Sequence, residues 1–312
     1  MTDVAPTCPR CGAPRLAALD CPRCGVIYSR ARPRAASTPA GPPASAMPSE
    51  AAAHPAFPSE IDDARMELSI RLYAIPAALV AAKIVMASSF LHMLSRVFLS
   101  MWIHELGHAA TAWLCGFIAI PGPWRTIVPD ARNFVVPVLV AGGIGWLTFR
   151  GYSTRKRSLL IGAGVLFAAQ LKGTFALNAD TARALITFGG DAGCFVIGSL
   201  LMASMYADPD TQIHRGWLRW GFLVIGAVAF MDTFDTWWSA RTDLTTIPFG
   251  ENEGSGPSDA SVLVDEYNWD ALDLVNRYLK LAGACAVALG AVYVYGWWEA
   301  KARLLQLKRH ER

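Results

Sequence analysis

Six apolar runs, each close to 20 residues long, leave this chain few folds to choose from. They cover residues 72–91, 97–119, 158–177, 184–206, 217–238 and 278–298. A helix satisfies its own backbone hydrogen bonds, so runs of this length read as helices able to cross a hydrocarbon layer. Composition points the same way. The chain is 53% hydrophobic with 11 tryptophans, and its mean hydropathy is +0.31, which argues against the two soluble domains that 312 residues would otherwise suggest. A seventh run, 134–149, is short and holds Pro137, Gly142, Gly143 and Gly145. It is expected to be re-entrant, with protein covering its backbone. The predicted fold class is an all-α polytopic membrane protein of about six transmembrane helices plus a re-entrant segment, carrying a small N-terminal zinc ribbon.

Charge placement favours six crossings. With that number, Arg155, Lys156 and Arg157 share a side with the N-terminus and with Lys301, Arg303, Lys308, Arg309 and Arg312, as the positive-inside rule prefers. Seven crossings would put both clusters outside. The expected localisation is a multi-pass protein of the cell (inner) membrane, with the N-terminal ribbon and C-terminal tail cytosolic and the acidic stretch 243–273 outside. Trp237, Trp238, Trp297 and Trp298 lie at run ends, as interfacial belts require. The net charge of +3 is too small to argue for a nucleic-acid partner.

The ribbon is read from Cys8, Cys11, Cys21 and Cys24. Each Cys-x-x-Cys turn aims two thiolates at one point, and two such knuckles make a tetrahedral site for a structural Zn²⁺. Only nine residues separate the knuckles, too few for a core, so the metal would supply much of the folding energy. Residues 1–12 contain no apolar stretch of the kind that opens a signal peptide, so a cytosolic ribbon is expected and disulfides are disfavoured. Cys115, Cys194 and Cys285 lie in apolar runs and read as packing residues. Residues 32–60 hold seven prolines among Ala, Ser and Gly, a composition that makes a tether. The expected domains are thus a ribbon at 1–30, a linker at 31–64, a membrane domain at 65–303 and a basic tail at 304–312.

Chemistry enters with His104-Glu105-Leu106-Gly107-His108, set inside the second apolar run. Histidines four apart share a helix face and can hold one Zn²⁺, while the intervening glutamate lies beside them as a base. Each such group costs about 2 kcal/mol or more in hydrocarbon unless paired or ligated, so its presence calls for a function. A third ligand is expected from Asp191, in Gly189-Gly190-Asp191-Ala192-Gly193. It lies as deep in its run as His104 does, provided that the two helices are parallel, and the glycines permit close approach. Asp232 and Asp235 are the competing acids, with pairing to Arg241 or helix capping as their simpler role. Lys83 and Lys172 are expected to snorkel or to pair with an acid, and His92 to be interfacial.

A membrane-embedded His-Glu-x-x-His helix followed two crossings later by a glycine-flanked aspartate resembles the site-2 protease family of intramembrane zinc metalloproteases. The likeness covers roughly residues 70–206 and extends to Gly116 and Pro121-Gly122-Pro123. It implies that His104, His108 and Asp191 ligate a catalytic zinc, that Glu105 is the general base, and that the short seventh run is a re-entrant element. The chain departs from the family in its Gly-Gly-Asp-Ala-Gly motif and in the two crossings beyond the shared core. Membrane-protein substrates and the bilayer are the expected partners, together with a protein partner for the ribbon. Two other classes remain open: a catalytically silent receptor or scaffold built on the ribbon, and a divalent-metal transporter, which would need ligands on more helices than are found here.

Overall fold

The computed structural model describes residues 8, 13, 14, 19–21, 27, 60–207, 211–214, 217–252 and 256–310. The chain divides into two compact units, residues 1–56 and 57–312. In the first, Cys8 and Cys21 are buried. The Cys8 N–H donates to the Ala13 carbonyl at 2.7 Å, and Asp20 pairs with Ile27 in an antiparallel bridge. Cys11 and Cys24 lie outside the described residues, and with them half of the expected four-cysteine site.

The second unit is a helical bundle. Its elements run α1 (Glu60–Met86), α2 (Ser89–Ser95), a π turn (Arg96–Ser100) that leads directly into α3 (Met101–Leu114), a two-stranded hairpin of β1 (Ile120–Pro121) and β2 (Thr126–Ile127), α4 (Val135–Ser153), α5 (Arg157–Leu171), α6 (Ala179–Ala203) and α7 (Leu218–Ala240). A second small hairpin, β3 (Glu251–Asn252) and β4 (Gly256–Pro257), precedes the single turn α8 (Asp259–Ser261) and the 40-residue α9 (Ala271–His310). Five helices are long and apolar enough to cross a membrane: α1, α4, α5 with its π extension, α6 and α9. The 23-residue α7 has the length but carries Arg219, Asp232 and Asp235. Large apolar side chains such as Val138, Leu139, Phe149, Ile161 and Val165 stand exposed on α4 and α5, the surface expected where lipid is the solvent.

Side-chain contacts fix the helix directions. Glu67 meets Arg219 and Lys83 meets Asp235, so α1 and α7 run parallel with a constant offset. Thr174 Oγ1 donates to the Leu114 carbonyl, which sets the end of α3 beside the start of α6. Consequently both ends of the continuous α2–α3 helix lie toward the pole of the bundle where α7 ends and α6 begins. This corrects the sequence reading on two points. The segment that fails to run from pole to pole is the one holding the two histidines, whereas residues 135–153 form an unbroken helix. Pro137 sits in the first turn of α4, where its missing N–H costs nothing. Nothing lies within 4 Å of a Cβ built at Gly142, Gly143 or Gly145, so these glycines neither bend the chain nor admit a neighbour.

The second correction concerns α3 and α6, which are antiparallel and not parallel. Ser100 meets Cys194, His104 meets Asp191, and His108 meets Ile186, so the numbers rise on one helix as they fall on the other. Close approach is built from glycine. A Cβ on Gly107 would strike the Gly189 carbonyl and Gly193 Cα, and one on Gly193 would strike Gly107 Cα. The α3 C-terminus is closed by Gly116 at φ +83°, with the Phe117 N–H on the Ala112 carbonyl at 2.9 Å and the Gly116 N–H on that of Trp113 at 3.2 Å. That left-handed cap is glycine's to fill.

Candidate metal centre

Each histidine of the motif is held by its Nδ1. For His108 the partner is the Ile186 carbonyl on α6 at 2.7 Å, and for His104 it is Asp191 Oδ1 at 3.0 Å. Both acceptors can take a proton from Nδ1, and in a neutral ring that tautomer makes Nε2 the donor a metal would use. These two Nε2 atoms lie 3.1 Å apart. Two imidazole nitrogens converging at that distance need a cation, a proton or a metal ion, between them, and a pair of neutral imidazoles fits a metal. Space is reserved as well: a Cβ on Gly190 would come within 2.6 Å of both Nε2 atoms.

Glu105 is buried, at 4% exposure, and its ligand oxygen lies within 4.8 Å of those of His104 and His108. Thr126, on β2, sets its direction: the Thr126 hydroxyl lies 2.7 Å from Glu105 Oε2 and 2.9 Å from the Glu105 carbonyl. The antiparallel pairing of Pro121 with Thr126 fixes that hydroxyl over the helix. A cleft of about 760 Å³ opens here, bordered by His104, Glu105, Trp124, Asp191, Glu251 and Asp259.

Asp191 therefore reaches the histidine pair, but at the Nδ1 edge of His104. Its other oxygen accepts from Trp237 Nε1 at 2.7 Å, and Trp237 is itself buried and stacked on Tyr278. Cys194, read from sequence as a packing residue, has its sulfur within 4.8 Å of the His104 and Asp191 ligand atoms. A residue that sequence reasoning passed over meets the Nε2 atoms of both histidines. Asp259 Oδ2 lies 3.0 Å from His104 Nε2 and 3.1 Å from His108 Nε2. Its only local signal is a Ser-Asp-Ala-Ser cap sequence inside an acidic stretch, which resembles any helix start.

The competing acids lie elsewhere. Asp232 is buried at 3% exposure. It takes Ser100 Oγ at 2.6 Å, His92 Nε2 at 2.7 Å and Arg96 at 3.4 Å, tying the π turn to α7. Asp235 pairs with Lys83, and Arg241 stacks on Trp238 instead of meeting either acid. Asp232→Ala should therefore cost about 1 to 2 kcal/mol of stability, because it strands the buried Ser100 hydroxyl while His92 and Arg96, which reach the surface, turn to solvent, and should leave the metal content of the chain unchanged. Thermal unfolding in detergent beside elemental analysis checks both parts.

Comparison with family models, curated proteins and solved structures finds no match for this chain.

Proposed function

We propose that the chain is an intramembrane zinc metallopeptidase that cleaves peptide bonds in or near membrane-spanning segments. One observation carries this reading: the paired Nε2 atoms of His104 and His108, with both Nδ1 atoms already committed and Glu105 alongside. Bound Zn²⁺ would polarise a scissile carbonyl and make water acidic enough to yield hydroxide near neutral pH. The rest falls to the chain's own groups. Glu105, oriented by Thr126, accepts the proton of the attacking water and delivers it to the departing amine nitrogen. The cleft admits water to a depth where lipid would otherwise exclude it. Its size accepts a few residues of extended peptide, so a helical substrate must unwind locally to expose a carbonyl. The same resemblance that names the site-2 protease family supports this assignment on sequence.

The helix directions support six crossings, α1, α4, α5, α6, α7 and α9, with α2–α3 entering and leaving at one face. That count puts Glu60, Arg155–Arg157 and the basic end of α9 on one side, which the positive-inside rule makes cytosolic. The metal centre then opens toward the opposite face, where the 120–127 hairpin and the 243–270 segment lie. Impermeant thiol labelling of single cysteines placed at Thr154 and at Leu244, in intact cells, is expected to mark only the second. Labelling of the first would reverse the orientation, and labelling of both would break the six-crossing count.

A further inference from the structure

The donor atoms at the centre form a triangle that the reading above leaves unused. His104 Nε2, His108 Nε2 and Asp259 Oδ2 are separated by 3.0, 3.1 and 3.1 Å. In a tetrahedral zinc site with bonds near 2.0 Å, neighbouring donors lie about 3.3 Å apart. The three atoms thus match one face of such a site to within a few tenths of an ångström. Asp191 does not belong to that face. It sits on Nδ1 of His104, and an imidazole's two nitrogens point out of different edges of the ring, so a carboxylate on one faces away from a cation on the other. With its second oxygen held by Trp237, Asp191 has the contacts of a group that orients a ligand.

The segment that presents Asp259 is built to hold it still. Ser258 Oγ accepts from the Ser261 N–H at 3.2 Å, the Gly250 N–H reaches Ser261 Oγ at 2.9 Å, and the Ser258 N–H donates to the Gly250 carbonyl at 2.8 Å. Ala260 and Leu263 are buried in the main core. A carboxylate fixed by its own backbone and aimed at two imidazoles is preorganised in the way a metal ligand needs to be.

We propose that Asp259 is the third protein ligand of the metal, completing a face with His104 and His108, and that Asp191 is the positioning carboxylate behind His104. The proposal rests on the metallopeptidase reading, and its test separates the two. Full-length protein in detergent is titrated with Zn²⁺ against a chromophoric chelator. A His104→Ala/His108→Ala variant defines the background from any other zinc site in the chain. Asp259→Ala is expected to weaken the membrane site about 100-fold or more, and Asp259→Asn, which keeps the shape, to weaken it nearly as much. Asp259→His restores a donor and is expected to recover most of the affinity. Asp191→Ala should fall in the range of about 10 to 100-fold that a lost orienting partner costs, and its Co²⁺ absorption bands should keep the wild-type form that Asp259→Ala alters. Unchanged affinity in both Asp259→Ala and Asp259→Asn would overturn the assignment while leaving the histidine site intact. Retained zinc with faster cleavage in those variants would overturn it too, by making Asp259 a removable plug. Zinc unaffected by the double histidine variant would remove the metal site altogether.

Discussion

Glu105→Gln is expected to lower peptide cleavage by about 10² to 10⁴-fold, the span that a lost general base commands, while zinc per chain stays at the wild-type value. Glutamine keeps the volume of a side chain that is 4% exposed, and its amide oxygen can still accept from the Thr126 hydroxyl that now lies 2.7 Å from Oε2. Only the basicity is lost. The histidine Nε2 atoms, their Nδ1 partners and the Asp259 carboxylate are untouched, so metal affinity has no reason to change. Purified full-length protein, a generic membrane-spanning substrate and elemental analysis suffice to measure both. Zinc lost together with activity would recast Glu105 as a ligand, and full activity would end the metallopeptidase reading. Thr126→Val supplies a graded companion: it leaves the base in place but undirected, and a smaller loss is expected.

Much of the centre was legible before the fold was. The four-residue spacing of His104 and His108 fixes their common face through helix geometry alone, and the cost of burying them in an apolar run marks them as candidates for a site. Asp191 was singled out on a parallel-helix argument, and the helices proved antiparallel. It still meets His104, because Gly107, Gly189 and Gly193 make α3 and α6 cross tightly at that level, and two helices crossing at one point share it whichever way they run. The glycines anticipated that contact, and the depth count did not.

Residues 134–149 were expected to be re-entrant, and their unbroken helix escaped the sequence for a related reason. Hydropathy counts apolar residues along a run but is blind to which pole of the bundle each end reaches. Pro137 and three glycines made residues 134–149 look broken, although glycine and proline are frequent in membrane helices. What sets both ends of α2–α3 toward one pole of the bundle is the pairing of Lys83 with Asp235 and of Leu114 with Thr174, and these contacts span 152 and 60 residues. Asp259 was illegible on the same ground. It lies more than 150 residues beyond the motif, among other acids of the same stretch, and only the folding of that stretch over α6 selects it.

Gly190→Ala should destroy the metal centre with the fold left standing. The added methyl would come within 2.5 Å of His104 Cε1 and 2.6 Å of the Nε2 atoms of both histidines, which is the space a shared cation needs. Neither ring can retreat cheaply, since His108 is held by the Ile186 carbonyl and His104 by Asp191. Zinc affinity at the membrane site is expected to fall by about 100-fold or more, equivalent to roughly 2.7 kcal/mol, and cleavage to disappear. Two other glycines separate this from a general effect of substitution. At Gly142 a Cβ meets nothing within 4 Å, so Gly142→Ala should leave zinc and cleavage unchanged, with stability equal or higher by up to about 1 kcal/mol from better helix propensity. At Gly193 the Cβ would strike the backbone of α3, which cannot rotate aside as a side chain does, so Gly193→Ala should force α3 and α6 apart and lower thermal stability first. Circular dichroism, melting in detergent and zinc titration distinguish the three. Wild-type zinc affinity in a folded Gly190→Ala protein would mean that no cation lies between the two imidazoles, and the centre would have to be sought elsewhere.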